Sequence, residues 1–98
     1  MHNAIMKYSF KPERLEEAVA LWKSGVADKI GSQPGFIRVQ FYTEPAGEAI
    51  AIGSWASKED AENFMKTGVF ADILKTFGDC MSEQPRGGEY SLVHFEEA

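Results

Sequence analysis

Apolar positions recur at two periods along this chain, and the switches between them mark out the elements. From Ala4 to Phe10 the residues Ala4, Met6, Tyr8 and Phe10 alternate with Ile5, Lys7 and Ser9, the period of a strand with one face more apolar than the other. Pro12 then opens a helix, because a first turn has no use for its missing N–H, and Glu13, Glu16 and Glu17 suit the positive end of the helix dipole. Leu15, Ala18, Val19, Trp22, Val26 and Ile30 follow at helical spacing and form one stripe, which Gly25 weakens without ending.

The run Gly31-Ser32-Gln33-Pro34-Gly35 is turn chemistry, and it predicts a second strand over Phe36 to Thr43. Both alternating sets of that strand carry large apolar groups, with Arg38 and Gln40 the polar exceptions, so the sheet is expected to be covered on both faces. Glu44 to Glu48 makes a hairpin connection into a third strand, Ala49 to Trp55. Ala49, Ala51 and Gly53 share a face with Trp55, which predicts room above the sheet for a helix side chain or a ligand.

Ser57, with Asp60 three residues on, starts a second helix as a capping box does. Ala61, Phe64 and Met65 form its first apolar face and Ile73, Leu74 and Phe77 its last, with a break predicted at Thr67-Gly68-Val69. Ser82 to Gly88, which holds Pro85 and the Gly87-Gly88 pair, reads as a loop, and Glu89 to Phe95 as the fourth strand.

Strand, helix, strand, taken twice, predicts an α+β, ferredoxin-like βαββαβ fold: one domain over residues 1–98, both helices on one face of an antiparallel sheet. The other face is then bare over roughly 400 Å² in projection, about the largest apolar patch an ordinary monomer shows. Covering it would return ~10 kcal/mol before association costs. A homodimer, sheet against sheet, is the expected partner state.

Composition narrows the function. A net charge of -5 with scattered basic residues excludes a nucleic-acid footprint. No apolar run reaches the roughly 20 residues of a membrane span, and no leader pattern opens the chain, so a cytoplasmic protein is expected. Cys80 is the only cysteine and reads as a small buried hydrophobe. His2 and His94 are the only histidines, without carboxylates or thiols at ligand spacing, so no metal site is expected.

Pro34-Gly35-Phe36, the Phe41-Tyr42 strand end, the Trp55-Ala56-Ser57-Lys58-Glu59-Asp60-Ala61 corner and Gly68-Val69-Phe70 together resemble the antibiotic biosynthesis monooxygenase (ABM) domain of the dimeric α/β-barrel superfamily. The likeness covers nearly the whole chain. It implies a dimeric α/β barrel and a choice of activities: cofactor-independent oxygenation of polycyclic aromatics, haem degradation, or isomerisation of small metabolites. Three positions where such members carry reactive side chains hold Phe64, Leu74 and Gly53 here, which argues against haem degradation.

The expected function is therefore a cofactor-independent monooxygenase acting on a small aromatic or apolar molecule, with no cofactor. The alternative is a non-catalytic small-molecule-binding or stress-related dimer, and a third reading is an isomerase of a small metabolite. His94 and Tyr8 are the candidate catalytic residues, because an imidazole and a phenol can move protons at a pocket. Trp55, Phe64 and Trp22 are candidate cavity walls, Tyr42 a further aromatic contact, and Arg38 a clamp for an anionic group.

Overall fold

The computed structural model describes residues 1–98. Its elements are β1 (His2–Ser9), α1 (Leu15–Leu21), α2 (Ala27–Gly31), β2 (Phe36–Thr43), β3 (Glu48–Trp55), α3 (Lys58–Lys66), α4 (Val69–Phe77) and β4 (Arg86–Ser91). Helices α1 and α2 run as one rod, joined by a π-helical turn over Trp22–Val26. The strands form one four-stranded antiparallel sheet in the order β2-β3-β1-β4, the ferredoxin-like arrangement expected.

Register shows why the alternation mattered. Ala4 pairs with Gly53, Met6 with Ala51 and Tyr8 with Ala49, so the small residues of β3 lie beside the larger ones of β1 on the helix-covered face. Val39 and Phe41 of β2 join that face opposite Gly53 and Ala51. Tyr8, Phe10, Trp22, Val26, Trp55, Phe64, Ile73 and Phe77 are buried there, together with Ala18, Ala61 and Cys80. Phe10 and Phe77 meet edge to face with ring centres 4.9 Å apart, and Tyr8 packs on both.

The second helical segment breaks where expected. Ser57 accepts a hydrogen bond from the Asp60 N–H at 3.1 Å and starts α3; Gly68, at φ 81°, takes the left-handed conformation that separates α3 from α4.

The fourth strand does not lie where the sequence predicted it. Pairing runs over Arg86–Ser91, with Met6 opposite Gly87 and Ile5 opposite Gly88, while residues 92–98 pair with nothing. The Gly87-Gly88 pair belongs to the strand rather than to the loop before it. A Cβ on Gly87 would land on the Met6 sulfur, so a side chain here would require Met6 to move aside. The chain beyond Ser91 leaves Leu92, Val93 and Phe95 exposed.

On the helix-free face stand Ile5, Lys7, Arg38, Gln40, Tyr42, Ile50, Ile52 and Tyr90, a mixture of apolar and charged groups. Of these, Tyr42, Ile50 and Tyr90 are large and exposed. None of the helices is long and apolar enough to cross a membrane.

Candidate functional site

Space on the helix-covered side comes in two neighbouring parts that share lining residues. The inner part is a cavity of about 40 Å³ beside Trp55 and Phe64, walled also by Tyr8, Trp22, Phe70 and Ile73. It is this small because two aromatic pairs fill the room that Ala49, Ala51 and Gly53 leave. Trp22 stacks on Phe41 with ring centres 4.1 Å apart, and Trp55 on Phe64 at 5.0 Å. The surrounding side chains are apolar or aromatic, which makes the cavity a place for an apolar group rather than for water.

The outer part is a groove of about 460 Å³ between α3 and β4, lined by Ala4, Met6, Glu62, Met65, Lys66, Gly87, Gly88 and Glu89. Ala4, Met6 and Met65 line both spaces. The partition between them is thus largely thioether, which is unbranched and adapts its shape readily. The groove exists because β4 presents Gly87, Glu89 and Ser91 to the helical side and offers the helices no apolar residue to cover.

Electrostatics differ sharply between the two. Tyr8 sits in the inner cavity with its phenol pushed up to about 12 by burial, so at neutral pH it is a proton donor and never a base. In the groove, Glu62 and Lys66 stand on α3 and Glu89 on β4. Behind Glu89 lies His2, whose side chain is 9% exposed and whose Nε2 is 3.5 Å from Glu89 Oε1. That Nε2 is buried without a hydrogen-bond partner.

The residues singled out from sequence divide between the two sides of the sheet. Trp55, Phe64, Trp22 and Tyr8 come together around the inner cavity. Tyr42 and Arg38 lie on the opposite face; Gln40 Nε2 donates to the Tyr42 hydroxyl at 2.9 Å, and Arg38 lines a cleft with Leu92 and Phe95. His94 stands outside any strand, three-quarters exposed, with Nε2 3.1 Å from Glu96 Oε1. The geometry does not bring it to either space. Phe64 and Leu74 pack into or against the core, and Gly53 underlies the indole of Trp55. Cys80 is buried and donates its S–H to Glu17 at 3.0 Å; burial, and then that bond, push the thiol up, away from reactivity.

His2 and Glu89 are the pair that sequence reasoning missed. They are 87 positions apart, and only the register of β1 against β4 sets them side by side.

The sequence matches the family profile described as antibiotic biosynthesis monooxygenase over residues 1–76. The chain belongs to that family. The ABM fold agrees with solved structures of low sequence identity. A monooxygenase from the gene ActVA-Orf6 of Streptomyces coelicolor, in complex with the ligand Nanaomycin D, superposes with a TM-score of 0.83 at 17% identity over 99% of this chain and 91% of that one. A Nitrosomonas europaea protein provisionally described as an antibiotic biosynthesis monooxygenase gives 0.78 at 19% identity, over 96% and 100%. SnoaB, a cofactor-independent oxygenase from Streptomyces nogalater, gives 0.74 at 14% identity, over 96% and 94%. A search of curated protein sequences gives no match.

Proposed function

We propose that this ABM-domain protein is a cofactor-independent monooxygenase whose substrate, a small planar aromatic molecule, lies in the groove between α3 and β4. The observation that carries this reading is that the 460 Å³ groove adjoins an apolar cavity through Met6 and Met65. The groove is within the range of small-molecule sites, roughly 300 to 1,000 Å³. The inner cavity alone is too small for a ring system, and it suits the leading edge of one or a dioxygen molecule. Activities of ActVA-Orf6 and SnoaB, as named, make an oxygenase the natural member of this fold to look for.

The electrons come from the substrate. A methylene flanked by phenolic rings is oxidised to a carbonyl; one atom of dioxygen enters the carbon and the other leaves as water. The protein supplies orientation and a dry surface. Trp55, Phe64 and Trp22 wall the inner end, and Tyr8 offers a neutral hydroxyl there. Tyr42 and Arg38 belong in this reading to the side of the sheet where a second copy docks, and His94, paired with Glu96 beyond the sheet, takes no part. A homodimer through the helix-free face is supported by the exposed Tyr42, Ile50 and Tyr90 on it.

A second reading, a dimer that binds small molecules without turning them over, is favoured by Phe64, Leu74 and Gly53 at the positions noted above. Oxygen-electrode measurements with dithranol, a dihydroxyanthrone, and a panel of quinols separate the two. The expected result is oxygen consumption matched by carbonyl product, and saturable binding without uptake sinks the oxygenase in favour of the binder. Product formed without oxygen would mark an isomerase. Light scattering at micromolar concentration reads the dimer, and a monomer there refutes it.

A further inference from the structure

We infer that Glu89 is the proton acceptor of the groove and His2 its positioning residue, so that the site selects aromatic molecules with an acidic C–H or O–H. This deepens the oxygenase reading and rests on it for the location of the substrate. The groove holds three charged side chains. Glu62 has an exposed partner on its own helix, Lys58 at 3.8 Å, where Glu89 has a buried one across the sheet. Lys66 is the single cation of the lining, suited to an enolate or phenolate oxygen. Glu89 remains, a carboxylate at the β4 wall with its side chain 35% exposed.

His2 explains why that carboxylate is special. On the first residue of β1, paired with Ser91, the imidazole lies diagonally across the ladder from Glu89, which pairs with Ala4. Its Nε2 is buried, has no hydrogen-bond partner, and is 3.5 Å from Glu89 Oε1. A buried polar atom left without a partner calls for an explanation, and apo sites commonly show catalytic hydrogen bonds that are long until a ligand tightens them. A movement of well under an ångström would let Nε2–H donate to the carboxylate and hold it toward the groove. Substrate then loses its proton to Glu89: an O–H bond forms on the carboxyl, the C–H or O–H bond breaks, and its electron pair stays on the substrate as an enolate or phenolate. Nothing is oxidised in this step. In the oxygenation that follows, Glu89 gives the proton back to the oxygen atom that leaves as water, which regenerates the carboxylate.

The step can be watched without oxygen. Under argon in heavy water, the intact protein should speed hydrogen–deuterium exchange at the methylene of dithranol, followed by NMR. Glu89→Gln should lower that rate by roughly a hundredfold, the span of a positioned general base. His2→Ala should lower the maximal rate several-fold while the half-saturating dithranol concentration stays within about twofold, and His2→Gln, which keeps an N–H donor, should recover much of it. The ring nitrogen resonances of His2 should move in Glu89→Gln, a readout that survives even if the alanine variant folds poorly. Exchange at the wild-type rate in Glu89→Gln overturns the assignment, as does no acceleration by the wild-type protein. Equal rates in His2→Ala and wild type remove His2 from it. Oxygen consumption that persists in Glu89→Gln overturns this inference alone; accelerated exchange without any oxygen consumption overturns the oxygenase and leaves the proton site standing.

Discussion

On β2, the residues that face the helices vanish beneath them: Val39 and Phe41 are partly buried against the core, and Trp22 lies flat on the Phe41 ring at 4.1 Å. On β4, the opposite edge of the same sheet, Gly87 and Glu89 face the same way and stay exposed along a 460 Å³ groove. One helical layer thus closes one edge and leaves the other open. The difference lies in what each strand gives the helices to bury. Aromatic and β-branched side chains return free energy when covered, while glycine and a carboxylate return none, so the layer ends at Met6 and Met65. The groove appears where packing has nothing to gain.

The comparison breaks most visibly on its closed side. Phe77 is 1% exposed and touches Tyr8, Phe10 and Trp22, so Phe77→Ala should destabilise the fold by about 3 to 5 kcal/mol, read as a lower urea midpoint. Tyr8 gives the next effect, and its sign is fixed by burial. The phenol titrates at about 12 in the folded protein and at 10.0 when free, so the full stability is present below pH 10 and is lost as pH rises toward 12. The loss should approach roughly 2 to 3 kcal/mol, and Tyr8→Phe should flatten that part of the pH–stability curve.

On the open side, Gly87→Ala pushes a methyl onto the Met6 sulfur and to 3.1 Å from the Ile5 carbonyl. Overpacking of this kind should cost about 1 to 3 kcal/mol, and the displaced Met6 should weaken dithranol binding, measured by fluorescence titration. Ser57→Ala removes the cap of α3, the helix that forms the other wall of the groove, and should lower stability by about 1 kcal/mol in thermal melts. If Gly87→Ala and Phe77→Ala reduce binding equally, the two edges are not independent and the contrast drawn between them is wrong.

Much of the covered half could be read from the sequence, because its signals are local. Alternation in β1 and β3 set their faces, Ser57 with Asp60 set a helix start, and Gly68 set a break. The room expected above Ala49, Ala51 and Gly53 is taken by helix side chains, one of the two occupants expected, and only about 40 Å³ is left; which side chains fill it depends on tertiary partners, since Trp22 finds Phe41 and Trp55 finds Phe64 only after folding. The open half was misplaced for the same reason. Gly87-Gly88 carries the mark of a loop, and only Met6 across the ladder turns it into a strand. With β4 drawn too late, His94 was expected on a strand that in fact ends at Ser91, and the closeness of Glu89 to His2 across the ladder could not be seen. The π-helical turn at Trp22–Val26 left no sequence mark beyond Gly25.

Methionine in a groove wall is a chemical liability as well as a packing device. Met65 is 41% exposed there, and oxidation to the sulfoxide would put a polar, chiral group into the wall that the groove shares with the apolar cavity. Reduction of the sulfoxide would restore the original thioether wall.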